Sequence, residues 1–192
     1  MFIRNIVIMS VFLSSTASAQ LFLDNPSLEG TPQDAITPQG WLECEKGTTP
    51  DILPGPWGVY NEPFDGKSYI GLITRSDGSW EAIGQRLKQP LKKDNCYELV
   101  FHLARSITYA GYNEPVIFRV WGGADRCEKT ELIGKTQPIN HEEWREYRFK
   151  IKPKMALKYL IIEVHYDPTK KYTHNGHVLI DGIQPIIWCA RA

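Results

Sequence analysis

Three observations predict an all-β fold, a β-sandwich. Helical periodicity is almost absent, short stretches alternate between apolar and polar residues, and Gly, Pro, Asn and Asp separate those stretches. Many short strands at this spacing are typical of two packed antiparallel sheets. The clearest predicted strands are residues 68–74, 80–87, 96–105, 116–122, 144–152, 159–166 and 177–183.

The alternation also assigns side chains to faces, because successive residues of a strand point to opposite sides of the sheet. The side chains predicted to face the core are Tyr97, Leu99, Phe101, Leu103, Val116, Phe118, Val120, Leu160, Ile162, Val164 and Tyr166. The opposite positions of the same strands carry an unusual set: His102, Arg119, Trp121, Glu163 and His165. If these strands are neighbours, this set forms one platform on one sheet.

The first 19 residues are predicted to be a secretory signal peptide. Arg4 supplies the positive charge, and the apolar run at residues 6–13 is too short to span a bilayer. Ala17-Ser18-Ala19 fits the pattern of small residues that precedes cleavage, here before Gln20. We therefore expect export to the periplasm, the cell surface or the medium. No later apolar run is long enough to cross a membrane.

Residues 20–192 are predicted to form one domain, because no repeat, low-complexity tract or linker interrupts them. The full chain has 22 basic and 22 acidic side chains. Removal of Arg4 with the signal peptide leaves a net charge of about −1. This balance argues against a general electrostatic grip on nucleic acid or anionic lipid.

The four cysteines, an even number in an exported chain, predict two disulfide bonds. No CxxC motif is present, which argues against a redox site or a zinc knuckle. Three pairings are possible. Cys96 opens one predicted strand and Cys127 follows that strand's expected hairpin partner, whereas Cys44 and Cys189 lie near the first and last strands. We therefore predict the bonds Cys96–Cys127 and Cys44–Cys189.

Several motifs occur in an order that resembles jelly-roll carbohydrate-binding modules of the galactose-binding-like superfamily. They are "GW" at 40–41, "DGKSYIGL" at 65–72, "WEAIGQRL" at 80–87, "CYELVFHLARS" at 96–106 and "VLIDGI" at 178–183. The opening "NPSLEG" at 25–30 resembles the Asn-x-x-Phe-Glu start of those modules, with Leu28 in place of Phe. The resemblance covers nearly all of residues 20–192 and implies a jelly-roll β-sandwich. The chain also resembles exported envelope proteins of the Bacteroidetes.

The resemblance further implies one structural calcium ion. In such modules the ion is shared by a glutamate of the first strand, a backbone carbonyl of the "DGK" turn and an aspartate near the last strand. The matching positions are Glu29, Lys67 through its carbonyl, and Asp181. Carboxylate and carbonyl oxygens suit Ca²⁺, and the ion would link the two ends of the fold. Family members often carry two acids in the last strand, whereas here Gly182 follows Asp181.

Sugar recognition needs aromatic rings outside the core, which stack on the C–H faces of the sugar, and polar side chains that bond its hydroxyls. The loops offer Trp57, Tyr60, Trp80, Tyr109 and Tyr112, and Trp80 follows the turn sequence "SDGS". The resemblance implies that such loops share the ligand with a sheet face. The polar and sheet partners would be Arg75, Glu81, His102, Arg105, Arg119 and Trp121.

Three classes of function remain, and non-catalytic glycan binding is the one predicted. A small jelly-roll glycan-active enzyme would use paired carboxylates, for which Glu81, Glu114 and Glu163 are available. However, no nucleophile elbow, HExxH motif or phosphate-binding loop is present, and "HEEW" at 141–144 lacks the second His. The alternative is an envelope protein–protein interaction module, because no catalytic domain is attached that a carbohydrate-binding module would target.

Overall fold

The computed structural model describes residues 20–189, which contain thirteen β-strands and one short 3-10 helix, Pro56–Gly58. The strands are β1 Gln20–Leu21, β2 Leu42–Glu43, β3 Asp51–Leu53, β4 Tyr69–Thr74, β5 Ala82–Leu91, β6 Tyr97–Ala104, β7 Glu114–Pro115, β8 Ile117–Gly123, β9 Glu131–Lys135, β10 Arg145–Ile151, β11 Leu157–His165, β12 Gly176–Asp181 and β13 Ile186–Trp188. All seven predicted strands are confirmed. The additional strands have two to five residues, too few to show a clear alternation.

The strands form two sheets that pack face to face, which confirms the predicted β-sandwich. The larger sheet has eight strands, and in it β6 pairs with β10 along one side and with β12 and β13 along the other. The smaller sheet has five strands in the order β2-β5-β11-β8-β9. All of its pairings are antiparallel, as are those of the larger sheet except β7 with β12.

The main core lies between the two sheets and is filled by aliphatic and aromatic side chains from both. Phe101 of β6 and Phe118 of β8 meet across it, with ring centroids 5.1 Å apart. Ten of the eleven side chains predicted to face inward are buried. The exception is Tyr166, which is half-buried and donates its hydroxyl proton toward the carbonyls of Arg75 and Ser79.

A second apolar cluster lies on the outer face of the eight-stranded sheet. It consists of Leu53, Val59, Tyr69, Ile73, Ala104, Tyr109 and Leu179. The loops at residues 54–62 and 105–113 fold over this face and supply Val59 and Tyr109. This sheet is therefore covered on both sides, whereas the five-stranded sheet keeps a more polar outer face.

The predicted disulfide pairing is wrong, because the bonds are Cys44–Cys127 and Cys96–Cys189. Cys96 precedes β6, and β13 is the neighbour of that end of β6, so Cys189 rather than Cys127 lies beside it. The predicted hairpin between the strands at 96–105 and 116–122 does not form, because β6 and β8 belong to different sheets. The two bonds agree with the expectation of an oxidising compartment.

Cys127 lies in the loop between β8 and β9, which folds back over the outer face of the five-stranded sheet. Gly84 of β5 makes room for this crossing, because a Cβ there would lie 3.0 Å from the Cys44 sulfur and 2.9 Å from the Leu160 carbonyl oxygen. The loop is thereby tied across the sheet to the end of β2. We call residues 124–130 the strap.

The predicted signal peptide, residues 1–19, lies outside the described residues. Within residues 20–189 no helix is long and apolar enough to cross a bilayer.

Candidate functional site

The outer face of the five-stranded sheet carries a cluster of polar and aromatic side chains around one buried carboxylate, that of Glu163. Glu163 lies opposite Arg119 in the β11–β8 register, and Trp121 follows on the same face of β8. Trp80 lies just before β5 and reaches this face from there, and Lys129 reaches it from the strap. We call this set the Glu163 cluster.

Four side chains donate to the Glu163 carboxylate, which is 1% exposed. The indole N–H groups of Trp121 and Trp80 lie 2.8 Å and 3.2 Å from its two oxygens. The Arg119 guanidinium and the Lys129 ammonium lie 3.3 Å and 2.5 Å away. A buried carboxylate with this many donors orients the side chains that surround it.

Burial alone would raise the pKa of Glu163, but the hydrogen bond and charge of Lys129, aided by Trp121 and Arg119, hold that pKa below its usual value. The carboxylate is therefore ionised at neutral pH. Lys129 also pairs with Glu45 at 2.8 Å and lies 5.6 Å from the centroid of the Trp80 ring. With Glu45 included, two carboxylates balance the positive charges of Arg119 and Lys129.

A tight turn at residues 75–79 places Trp80. Arg75 N–H donates to the Ser79 carbonyl, and the Asp77 carboxylate accepts from the Ser79 backbone and hydroxyl. Trp80 then forms a bridge with Thr74, and its ring lies 4.8 Å from that of His165. The predicted turn is confirmed, but Trp80 lies half-buried on the sheet instead of projecting into solvent.

A shallow pocket of about 300 Å³ adjoins the Glu163 cluster. Its lining residues are Arg119, His165, Tyr166, Asp167, Pro168, Lys170, Lys171, Tyr172 and Thr173. Lys170 pairs with Glu114, and Asp167 accepts from the Thr169 backbone and hydroxyl, so both are already engaged.

Other groups in the pocket remain available to a ligand. Tyr172 is 62% exposed, and the Arg119 side chain is 23% exposed, with its Nη1 atom paired with Glu163. Burial, with the positive charge of Arg119, lowers the pKa of His165, so its imidazole is neutral at neutral pH. The pocket therefore combines an aromatic ring with N–H donors and a neutral imidazole that can donate and accept.

The predicted platform is divided between the two sheets. Arg119, Trp121, Glu163 and His165 lie together, but His102 belongs to β6 in the other sheet. There its ring stacks on Phe64 at 3.6 Å and its Nδ1 atom bonds the Gly182 carbonyl at 2.9 Å. The alternation of β6 predicts its faces correctly but carries no information on its neighbours.

The predicted loop presentation of Tyr109 is also wrong. Tyr109 is fully buried in the outer-face cluster, and its hydroxyl donates to the Asp51 carboxylate. Tyr112 is half-buried beside it, with ring centroids 5.8 Å apart. Desolvation by burial raises the pKa of Asp51 and of Tyr109, which is consistent with an internal hydrogen bond that no ligand reaches.

Three predicted polar contacts are occupied within the fold. Glu81 is buried and accepts from the Thr49 backbone, the Ile73 backbone and the Arg75 guanidinium, the last at 2.6 Å. Arg105 donates to Asn140 and to the Asn113 carbonyl. Arg75, Glu81 and Arg105 therefore hold loops in place in this structure.

Trp57 and Tyr60 are exposed, at 44% and 73%, but they lie in the 54–62 loop over the eight-stranded sheet. They do not meet Trp80 and Trp121, which lie on the outer face of the other sheet. The predicted aromatic set thus occupies two separate surfaces.

The three predicted calcium ligands meet at one turn, residues 64–68. Glu29 accepts from the N–H groups of Lys67 and Ser68, and Asp181 accepts from those of Phe64 and Asp65. Burial, with the nearby charge of Asp65, raises the pKa of Asp181 to about 6. The N–H donors of this turn bond one oxygen of each carboxylate in this structure, so a calcium ion bound here would replace some of these hydrogen bonds. Among residues 20–189 no group of three His, Cys, Asp or Glu side chains could hold a metal.

Lys129 and Tyr172 are the site residues that the sequence analysis missed. Lys129 follows Cys127 in a polar loop, and only the correct disulfide pairing would have placed it over the sheet. Tyr172 lies in "KKYTHNG", a sequence that is typical of a solvated turn. An aromatic residue in such a turn is the one feature that could have indicated a binding residue here.

The fold is a jelly-roll β-sandwich that several solved structures share. No protein-family model matches the chain, and no curated protein matches it. The CBM22-1 xylan-binding domain of Xyn10C from Paenibacillus barcinonensis superposes with a TM-score of 0.56 at 14% identity, covering 93% of this chain and 100% of that domain.

Two further solved structures share the fold. A cleaved adhesin domain of Lys-gingipain from Porphyromonas gingivalis has a TM-score of 0.52 at 13% identity and covers 85% of this chain and 100% of that one. An arabinose-bound GH51 α-L-arabinofuranosidase has a TM-score of 0.58 at 10% identity and covers 89% of this chain and 27% of that one. At these identities the similarity establishes the fold alone.

Proposed function

We propose that this protein is an exported, non-catalytic carbohydrate-binding module. Its glycan site is the pocket beside the Glu163 cluster, on the outer face of the five-stranded sheet. The observation that carries the proposal is the combination, in one pocket, of the exposed Tyr172 ring, the partly exposed Arg119 guanidinium and the His165 imidazole. The shared fold with a xylan-binding domain supports the same class of ligand.

The chemistry of the pocket suits a sugar ring. The face of Tyr172 packs on the C–H groups of the ring, and Arg119 donates to a hydroxyl or ring oxygen. His165, neutral because its pKa is lowered, exchanges hydrogen bonds with a second hydroxyl in either direction. The Glu163 cluster beneath holds Arg119 in place, so binding does not have to order that side chain.

The state of the carboxylates supports binding without catalysis. Glu163 is ionised and engaged by four donors, so it has no proton to give to a leaving group at neutral pH. Glu81 is buried in a separate network of backbone and Arg75 contacts. The paired, accessible carboxylates that glycoside hydrolysis uses are therefore not offered by these two residues.

A glycan array probed with purified wild-type protein and with Tyr172→Ala tests the proposal. We expect the bound glycans to lose about tenfold in apparent affinity in the variant, a change of about 1.4 kcal/mol. Phe22→Ala is the control. It removes another exposed ring, which is 54% accessible and does not line the Tyr172 pocket, so this variant should bind like the wild type. A folded protein that binds no glycan would contradict the proposal and favour an envelope protein partner.

A further inference from the structure

Trp57 has the least ordinary backbone of the exposed aromatic residues. Its φ and ψ angles are 55° and 16°, in the left-handed region that bulky side chains rarely adopt. The same side chain is 44% exposed, so burial does not compensate for this conformation in full. Such a combination, in a chain that could have placed glycine here, suggests a functional reason for the indole.

The backbone around Trp57 is fixed from both sides. The Trp57 carbonyl accepts from Ala110 N–H at 3.1 Å, and the Gly58 carbonyl accepts from the Thr108 hydroxyl at 2.6 Å. Val59, two residues later, is fully buried. The Trp57 ring also contacts Tyr112 edge-on, with centroids 6.0 Å apart. The indole is therefore held in one position before any ligand arrives.

A second shallow pocket, of about 410 Å³, lies against Trp57 and is lined by Gln33, Asp34, Pro56 and Trp57. Gln33 is fixed by two backbone hydrogen bonds with Ile52 of β3, and Ala35 N–H donates to Asp51. The 33–35 segment thus extends the edge of the eight-stranded sheet, and the Gln33 and Asp34 side chains are exposed beside the indole.

We propose that this pocket, the Trp57 site, is a second carbohydrate-binding site and that it takes a neutral sugar ring. The indole provides a face for the C–H groups, the Gln33 amide can donate and accept, and the Asp34 carboxylate accepts from hydroxyls. Among residues 20–189 no cationic side chain lines this pocket, whereas the Tyr172 pocket is lined by Arg119 and two lysines. The two sites therefore differ in the glycan they favour, and an acidic sugar is disfavoured at Asp34.

The two sites lie on different sheets. The Trp57 loop covers the outer face of the eight-stranded sheet, and the Tyr172 pocket lies on the outer face of the five-stranded sheet. One chain can then hold two glycan segments at once and connect them, which raises its avidity for a polysaccharide. The inference shares the ligand class of the proposed function but depends on different residues.

An array of neutral and acidic oligosaccharides, probed with the wild type, Trp57→Ala, Asp34→Asn and Tyr172→Ala, tests the inference. We expect at least one group of neutral oligosaccharides to lose tenfold or more in signal with Trp57→Ala and severalfold with Asp34→Asn, and to persist with Tyr172→Ala. Trp188→Ala is the matched control, because Trp188 is 37% exposed and lies outside both pockets. Circular dichroism and thermal melting check that each variant is folded.

Each outcome bears on one site. If Trp57→Ala fails to fold, Asp34→Asn decides, because Asp34 is exposed and outside the core. Signals that stay within twofold of the wild type in both variants would overturn the Trp57 site, as would an array without any signal. Loss in Tyr172→Ala alone would overturn this inference and support the proposed function. Loss in the Trp57 and Asp34 variants alone would do the reverse.

Discussion

Glu163 is a charged residue that the fold buries on the outer face of a sheet, where most side chains contact water. It is tolerated there because four donors from three segments converge on its carboxylate. Removal of the charge would leave Lys129 and Arg119 without their shared partner, and such losses cost several kcal/mol at buried sites.

Glu163→Gln should therefore lower the free energy of unfolding by about 3 kcal/mol. The matched control is Glu146→Gln, because Glu146 also pairs with an arginine, Arg148, but both side chains are exposed. That surface variant should cost less than about 1 kcal/mol. Urea titrations of both variants give the comparison, and equal losses would contradict the assigned role of Glu163.

His177 is the most strongly perturbed histidine. It is 1% exposed, accepts from Ser106 N–H at 2.8 Å and bonds the Tyr112 carbonyl at 2.5 Å. Desolvation lowers its pKa from 6.5 to about 4, so the folded protein keeps it neutral. The unfolded chain therefore binds more protons between pH 6.5 and 4, and stability falls as the pH falls through that window.

His177→Gln should reduce the loss of stability between pH 7 and pH 4.5, by up to about 3 kcal/mol from the size of the pKa shift. Asp181 acts in the opposite direction. Burial raises the pKa of its carboxyl group from 3.8 to about 6. Its stabilising contribution is therefore fully present below pH 3.8 and is lost as the pH rises through 6. Unfolding midpoints of the wild type and of His177→Gln at pH 7 and pH 4.5 test the prediction for His177. Equal losses of stability in the two proteins would contradict it.

At the scale of the element, the strap shows how a disulfide can position a residue that supports a binding pocket. The bond Cys44–Cys127 carries Lys129 across the sheet to Glu163 and Trp80, whereas Cys96–Cys189 joins β6 to β13 away from the pocket. The two bonds close similar loops, with sequence separations of 83 and 93 residues. Their effects on the unfolded chain should therefore be similar, about 4–5 kcal/mol each by loop-closure entropy.

The paired variants Cys44→Ala/Cys127→Ala and Cys96→Ala/Cys189→Ala should lose comparable stability but differ in glycan binding. Without the Cys44–Cys127 bond, the strap no longer holds Lys129 against the Glu163 cluster, so affinity at the Tyr172 pocket should drop severalfold. The second pair should bind like the wild type under conditions where it is folded. Thermal melting together with titration of a glycan that the wild type binds separates the two effects.

Strand positions were predictable, but strand neighbours were not. Alternation over residues 97–103 reports that Phe101 is buried, because that depends only on the local sequence. It does not report that β6 lies beside β10 and β12, which depends on packing over the whole chain. This is why the expected platform lost His102 and why both disulfide pairings were wrong.

For the whole molecule, the predicted jelly roll is confirmed, and Arg119, Trp121 and Glu163 lie together on the outer face of one sheet, as the alternation predicts. Trp121 and Arg119 were recognised because an indole and a guanidinium at outward strand positions are unusual. The prediction for Tyr109 is wrong because the sequence of a glycine-containing loop is the same whether the loop is exposed or, as here, folds onto a second apolar cluster. Local chemistry does not show which loops return to cover a sheet.

Calcium binding remains a prediction about the whole molecule, because the ion would join the start of the fold to its last strands. If it binds, millimolar calcium should raise the melting temperature by a few degrees over protein in chelator, because only the folded chain binds it. Asp181→Asn should abolish the rise, whereas Asp125→Asn, an exposed acid in the strap, should keep it. A melting temperature that chelator does not change would contradict the prediction.

The strand order also determines how the chain reaches this fold. β4 pairs with β12, β5 with β11 and β6 with β13, so each sheet joins an early strand to a late one. Few of these contacts can form until most of the chain is available. The chain therefore loses conformational entropy before the contacts between distant strands stabilise the fold. We therefore expect slow folding, in milliseconds to seconds, with unpaired early strands exposed in the meantime. Until β11, β12 and β13 have formed, the edges of β4, β5 and β6 stay open to pairing with strands of other chains.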